Sequence, residues 1–498
     1  GTDPDDDIEV FGAGHDKTSF FRASVSRDGR YLVVSASEGT APRNDLWIAD
    51  LTASAPEAPV LRPIQVGVDA RTGASPGRDG RLYVFTDLDA PRGRICVTDP
   101  QGADLGPAGW TELVPEDPEA VLEDYAVLDG PELGDAPVLL ASWTRHAVGE
   151  LTRHDLRTGR RTGTIPLGTG AGGSADGGGL GSIGALVERP EGGCEAWFGW
   201  SDYRTPSAVH RYDARTGEVS VWATAPGAVD VPRIHVRQEE YTSKDGTTVR
   251  MFVIAPTAEP DEPRPTVLYG YGGFAIPMTP GYSAGVLTWV EAGGVYAIAG
   301  LRGGSEEGED WHRAGMREHK QRVFDDFHAA AEHLLARGWA APGGLGISGG
   351  SNGGLLVGAA LTQRPELYAA VVCSAPLLDM VRYERFGLGR LWTDEYGTVE
   401  VPEELDWLLG YSPYHHVVDG VEYPAVLFTV FDGDTRVDPL HARKMCAALQ
   451  ASGAGARPVL LRAESDVGHA ERSVSRSVAL SADTLAFLAR WTGLTGAT

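Results

Sequence analysis

Uninterrupted apolar stretches are scarce in this chain. None approaches the roughly 18 residues that a bilayer-crossing helix requires, so no membrane span is expected. Cysteine is scarce as well: Cys96, Cys194, Cys373 and Cys446 are dispersed, with no C-x-x-C pair among them. That pattern speaks against a disulfide scaffold and fits structural thiols in a reducing, cytoplasmic compartment. No basic-then-apolar leader opens the sequence. Its first residue is glycine rather than methionine, so a missing N-terminal portion is expected, which leaves a secreted or periplasmic origin open. Basic residues are outnumbered, 43 Lys and Arg against 69 Asp and Glu, giving a formal charge of -26. Phosphate binding needs clustered cations, so nucleic acid is not the expected partner.

What is present is length, turns and two successive patterns. At 498 residues the chain is too long for one ordinary core, and two domains are expected. Up to about Arg233 it reads as short strands in pairs, such as Tyr31–Ser35 with Asp45–Asp50 and Leu82–Phe85 with Ile95–Asp99. Turn signals separate them, among them Arg27-Asp28-Gly29, Arg78-Asp79-Gly80 and Arg157-Thr158-Gly159. Strand pairs recurring in this way predict β-propeller blades, with a sandwich as the alternative. The glycine-rich run from Gly168 to Gly181 reads as a solvent loop between blades. After about Arg237, strands at Thr266–Tyr269, Val295–Ala299, Leu345–Ser348, Ala425–Phe431 and Pro458–Arg462 alternate with helices. The helices are expected over Phe324–Arg337, Gly354–Leu361 and Val478–Trp491. This alternation predicts a mostly parallel sheet covered on both faces, the α/β-hydrolase arrangement. The expected domains are a partial β-propeller over 1–235 and an α/β-hydrolase catalytic domain over 236–498.

Chemistry is concentrated at Gly346-Ile347-Ser348-Gly349-Gly350-Ser351-Asn352-Gly353-Gly354. An apolar strand ending in small residues, then a serine, then helix formers, is a nucleophile elbow. Both Ser348 and Ser351 fit G-x-S-x-G, and Ser351 is preferred because good helix formers follow its turn directly. A serine nucleophile needs a base, and the base needs a carboxylate to fix its tautomer. In this fold the order is Ser, Asp or Glu, then His, on loops after strands. His469 fits the base, whereas His441 begins a helix and reads as a surface or cap position. Asp432, Asp434 and Asp438 all compete for the carboxylate, and spacing barely separates them. One oxyanion donor is expected from the Asn352 N–H and a second from the loop Tyr269-Gly270-Tyr271-Gly272-Gly273-Phe274.

These residues resemble those of the prolyl oligopeptidase family of serine peptidases. The elbow from Gly349 to Val357 matches its patterns, as do Tyr269–Phe274 and Arg302-Gly303-Gly304-Ser305. Lys320-Gln321 followed by Phe324-Asp325-Asp326-Phe327 matches too. The likeness runs from about Glu239 to the C-terminus and weakens to a propeller-like one before it. It implies a triad of Ser351, Asp434 and His469, with the Tyr271 hydroxyl as oxyanion donor beside the Asn352 N–H. It also implies a proline pocket with Trp392 stacked on the pyrrolidine ring, completed by Phe274, Leu377, Tyr396 and Val437. Arg436 would bind the carbonyl of the preceding peptide residue.

The implied activity is hydrolysis of short peptides on the C-terminal side of proline, by a monomer, without metal or organic cofactor. Family members carry a propeller of about seven blades, while the first half here has room for four to five at about 40 to 50 residues each. Either a chain truncated at its N-terminus or a reduced, open cap is expected, and a half propeller would expose strand edges and apolar faces. The rival functions are an oligopeptidase or acylaminoacyl-peptidase with another first pocket, an esterase, and a non-catalytic propeller scaffold with a relic hydrolase domain.

Overall fold

Four sheets of four antiparallel strands fill the first half of the chain, each a meander in which sequence neighbours pair. The computed structural model describes residues 3, 7–167, 179–227, 230–453, 455–469 and 472–496. The glycine-rich run expected to be a solvent loop falls at 168–178 outside the described residues. The first sheet holds β1 (Ser19–Val25), β2 (Tyr31–Glu38), β3 (Asp45–Asp50) and β4 (Arg62–Gln65). The second holds β5 (Thr72–Pro76), β6 (Leu82–Thr86), β7 (Arg94–Thr98) and β8 (Thr111–Val114). The third runs through β9 (Ala120–Leu128), β10 (Val138–Arg145), β11 (Val148–Asp155) and β12 (Arg161–Ile165). The fourth runs through β13 (Gly181–Glu188), β14 (Glu195–Asp202), β15 (Ala208–Asp213) and β16 (Glu218–Thr224).

The turns between strands follow from their sequences. Asp28 accepts the Arg30 N–H, and Asp79 accepts the Arg81 N–H, each at 3.1 Å, while the glycine after each aspartate sits at φ 72 or φ 83. A left-handed position behind an Asx turn is where glycine costs least. Apolar clusters then join successive sheets. Val33, Leu46 and Ile48 meet Leu82 and Val84; Tyr83 and Ile95 meet Leu122, Leu139 and Trp143; Leu140 and Leu151 meet Phe198 and Trp200. Face-to-face stacking of this kind makes propeller blades. The two end blades present apolar surface: Phe20 is 51% exposed on β1 and Trp222 57% exposed on β16.

The second half forms one sheet of eight strands. They are β17 (His235–Thr242), β18 (Thr248–Ala255), β19 (Arg264–Gly270), β20 (Val295–Gly300), β21 (Ala340–Gly350), β22 (Ala370–Ser374), β23 (Ala425–Phe431) and β24 (Val459–Glu464). Their order is β17-β18-β20-β19-β21-β22-β23-β24, antiparallel at β17, β18 and β20 and parallel from β20 onward. Among the described residues eight α-helices accompany it: α1 (Ala284–Glu291), α2 (Glu309–Arg313), α3 (Gln321–Ala336), α4 (Asn352–Gln363), α5 (Thr393–Tyr396), α6 (Pro402–Tyr411), α7 (Leu440–Ser452) and α8 (Val474–Thr492). In α3, Val323, Phe324, Phe327, Ala330, Ala331 and Leu334 form the buried stripe. None of the helices among the described residues is long and apolar enough to cross a membrane.

Parallel pairing puts the carboxyl ends of β19, β21, β23 and β24 along one edge, so the loops after them converge there. The propeller abuts the same edge. The Thr40 N–H and hydroxyl both donate to the Leu391 carbonyl, at 3.0 and 3.1 Å, and Arg43 pairs with Asp394 at 3.2 Å. Gly39, at φ 50, permits this approach, since a Cβ there would lie 2.5 Å from the Leu391 oxygen. Further along, the Glu309 N–H donates to the Pro91 carbonyl at 2.7 Å, and Gln238 donates to the His146 carbonyl at 2.6 Å.

Candidate active site

Ser351 occupies the turn between β21 and α4 with φ 57 and ψ -120, a backbone conformation that a non-glycine residue adopts only when its surroundings enforce it. The surroundings are glycine and a neighbouring strand. A Cβ on Gly349 would lie 2.1 Å from the Gly353 oxygen, and one on Gly354 would lie 2.7 Å from Pro376 Cβ. The Ser351 N–H donates to the Ser374 carbonyl at the end of β22, at 2.9 Å. Ser348, by contrast, is paired inside the sheet opposite Tyr269 and Val372. The elbow serine is Ser351.

The three aspartates after β23 separate by partner. Asp432 pairs with Arg443 at the surface, and Asp438 accepts the Leu440 N–H at the start of α7. Asp434 Oδ2 meets His469 Nδ1 at 2.6 Å, and its Oδ1 accepts the Arg436 and Val437 N–H groups at 2.9 Å each. Burial alone would push the Asp434 carboxyl up, yet the His469 contact and the two backbone donors hold it below its ordinary value. Asp434 therefore stays ionised, and its contact with Nδ1 orients the His469 ring. No hydrogen bond joins Ser351 to His469 among the described residues.

His441 departs from its expected surface or cap position. It is 2% exposed, and its Nδ1 accepts the N–H groups of Leu378 and Asp379 at 3.3 and 3.1 Å. Burial drives its pKa down to about 4, so it is a neutral structural histidine that sews α7 to the loop after β22. The sequence placed it at the start of a helix but gave no sign of which way the ring would turn.

Opposite the serine, the Tyr271 hydroxyl lies within hydrogen-bonding reach of Ser351, and burial raises its pKa, which keeps it a neutral donor. Asn352 opens α4, where the first N–H has no partner within the helix. Its side chain is spoken for: Nδ2 donates to the Tyr271 carbonyl at 2.6 Å, and Oδ1 accepts the Tyr396 hydroxyl at 2.8 Å. Gly273 makes room for it, since a Cβ there would lie 2.6 Å from Asn352 Nδ2.

Phe274, Trp392 and Tyr396 come together edge to face. The Phe274 ring lies 6.4 Å from Trp392 and 5.6 Å from Tyr396, at 78° and 87°. Leu377 and Val437 are buried in the same apolar cluster. The exposed Arg436 has no ion-pair partner among the described residues, and its charge acts on the Tyr271 hydroxyl. The sequence reading passed over Glu395 and His312, buried charges next to this group, and gave Lys320 no role although it stands in the Lys320-Gln321 motif.

Comparison with known proteins follows the same division. The prolyl oligopeptidase family model matches residues 280–495, and the model of the N-terminal β-propeller domain of prolyl oligopeptidase matches residues 1–225. Prolyl endopeptidase of Elizabethkingia meningoseptica is 34% identical over 490 residues, covering 98% of this chain and 66% of that protein. A solved structure from work on two prolyl endopeptidases and their inter-domain dynamics superposes with a TM-score of 0.90 at 40% identity, over 99% of this chain and 69% of that one. Prolyl oligopeptidase B of Galerina marginata, bound to a 35-residue hydrolysis and macrocyclisation substrate, gives 0.89 at 30% identity, over 100% and 68%. The apo form of that protein gives 0.72 at 29% identity, over 98% and 67%, so this chain's arrangement is nearer the peptide-bound one. The chain thus spans about two thirds of the length of the curated relatives it matches.

Proposed function

The chain belongs to the prolyl oligopeptidase family, and from that premise we propose that it is a serine endopeptidase hydrolysing short peptides on the C-terminal side of proline. The observation that carries the reading is the edge-to-face group of Phe274, Trp392 and Tyr396 beside an elbow serine. A flat apolar slot suits a pyrrolidine ring, whose nitrogen has no hydrogen to satisfy. Arg436, exposed and unpaired among the described residues, is free to bind the carbonyl of the residue before the proline.

In the proposed reaction His469 Nε2 takes the Ser351 proton as Oγ attacks the carbonyl carbon. The Tyr271 hydroxyl and the Asn352 N–H receive the developing oxyanion, and losing one such donor typically costs about 100- to 1000-fold in rate. The His469 proton then passes to the leaving amine, and water attacks the acyl-enzyme with His469 again as base. Asp434 holds Nδ1–H throughout and stabilises the imidazolium. Cleavage after basic residues would need a free carboxylate in the pocket. Glu395, beside Tyr396, is 1% exposed and already engaged by Lys320 and His312, so it is not available to a basic side chain.

Blocked Gly-Pro and Gly-Arg chromogenic peptides, offered to the wild type and to Ser351→Ala, test the reading. Release after proline, and loss of at least about 1000-fold in the variant, are expected. Faster release after arginine would sink the specificity, and activity surviving in Ser351→Ala would sink the nucleophile.

A further inference from the structure

Behind the oxyanion side runs a file of charges that the proposed reaction leaves unused, buried at Lys320, Glu395 and His312 and reaching the surface at Arg313 and Asp69. Lys320, 1% exposed, donates to the Gly272 carbonyl at 2.9 Å and to Glu395 Oε1 at 3.1 Å. Glu395 Oε2 meets His312 Nε2 at 2.9 Å, and His312 Nδ1 meets Glu309 Oε2 at 3.3 Å. Glu309 Oε1 accepts Arg313 Nε at 2.8 Å, and Arg313 reaches across to both oxygens of Asp69 in the propeller, at 2.8 and 3.0 Å. Burial pulls the His312 imidazole down, but the two flanking carboxylates outweigh it and raise it to about 9, so it is a cation at neutral pH. The file therefore alternates in sign at every step from Lys320 to Asp69.

Stability is a poor explanation for such a file. Desolvating charges costs so much that buried ion pairs are often no better than apolar side chains of similar volume. What the file touches is more telling. Gly272 follows Tyr271, has φ 65 and precedes another glycine, so its peptide unit has little intrinsic resistance to flipping. A charge-assisted bond from Lys320 fixes the Gly272 carbonyl, and Asn352 fixes the Tyr271 carbonyl. Glu395 also belongs to α5, the short helix that ends in Tyr396 and starts next to Trp392.

We propose that Lys320, Glu395 and His312 are positioning residues: they hold the Tyr271 loop in its oxyanion-binding form and tie that form, through Arg313 and Asp69, to the seating of the propeller. The inference rests on the reading of Tyr271 as an oxyanion donor.

Its test is the labelling rate of the full chain by a fluorophosphonate, in which Ser351 Oγ bonds to phosphorus, fluoride leaves and the phosphoryl oxygen occupies the oxyanion site. No proline is needed for that step. Lys320→Met is expected to lower the rate about 30-fold, less than outright loss of a donor, and Lys320→Arg to recover part of it. Asp69→Asn, at an exposed position in the propeller, is expected to lower it about 3-fold, with Asp135→Asn as the unaffected control. Hydrolysis of the Gly-Pro peptide should lose kcat in step while KM stays within about 2-fold. Should Lys320→Met fail to fold, Glu395→Gln and Asp69→Asn decide the matter. Unchanged labelling in folded Lys320→Met or Glu395→Gln overturns the positioning role, and unchanged labelling in Asp69→Asn overturns the tie to the propeller. A wild type that labels but does not cleave after proline refutes the proline reading and leaves this inference standing; a wild type that does not label refutes both.

Discussion

Trp392 is 7% exposed, and it meets Phe274 at 78°. On the proposed function, this indole is the surface that would stack on the substrate proline. Trp392→Ala is expected to lower kcat/KM on the Gly-Pro peptide about 100-fold, the loss of one large aromatic contact. Hydrolysis of a small p-nitrophenyl ester, which does not use the pocket, should change less than about 3-fold. Parallel kinetics on the two substrates check this, and equal losses would refute it. At this scale the sequence was uneven. Ser351 was legible because its helix formers and glycines are adjacent in the chain. Asp434 was not separable from Asp432 and Asp438 without the family likeness, because the choice depends on His469, 35 residues away. Lys320 and Glu395 are 75 residues apart, and Arg313 and Asp69 are 244 apart, so no local pattern announced their pairing.

Among the elements, α3 does more than cover the sheet. Its Asp326, fully buried, grips Arg302 through two bonds at 2.9 and 2.6 Å, and Arg302 also binds Asp245 in the turn before β18. That grip locks the glycine loop after β20, whose Gly303 carbonyl accepts the Ala275 N–H at 3.0 Å beside the Tyr271 loop. Asp326→Ala takes the buried one of two carboxylates from the Arg302 guanidinium and should cost about 3 kcal/mol in denaturant unfolding. The exposed Asp261→Ala should stay within about 0.5 kcal/mol. Similar effects from the two would mean the buried pair carries no special weight. The stripe of α3 was readable from its spacing, and so were the blade strands from their turn residues. The start of α8 was not. Its first turn, Val474-Ser475-Arg476-Ser477, lacks apolar periodicity and is set by Ser473 capping the Arg476 N–H, so the helix begins before the expected Val478.

For the whole molecule, the contact between propeller and sheet contains a titrating group. Glu306 is 4% exposed in a small cavity lined by His146 and Ala147 of the propeller and by Arg250, Phe252, Met278 and Glu307. One oxygen accepts the Met278 N–H, and the other is buried with no partner among the described residues. Burial raises its pKa to about 8, with Glu307 and Glu123 adding to the rise, while Arg250, Arg92 and His146 are turned to Glu307. A carboxyl raised in the folded state favours folding below its unfolded pKa, and that contribution is lost as pH rises through the folded value. Glu306→Gln should therefore gain on the wild type in denaturant midpoint between pH 5 and pH 8, then level off. A difference independent of pH would refute the buried protonated form. The two-lobed architecture itself was legible, as was the shortness of the propeller. Four sheets are present among the described residues, at the lower end of the four to five expected, because each blade takes its full set of four strands plus long connections.

The seam between Thr40 and Leu391 bears on how a protein of this kind diverges. The hairpin after β2 grips the carbonyl next to Trp392, so the setting of the aromatic group proposed here as a proline pocket is partly written in the first blade, more than three hundred residues upstream. On the proposed function, rewriting that hairpin offers descendants a route to new substrate tastes that leaves Ser351, His469 and Tyr271 untouched. Gly39 is the fixed point of the route, since any side chain there would collide with the Leu391 oxygen and unseat the blade.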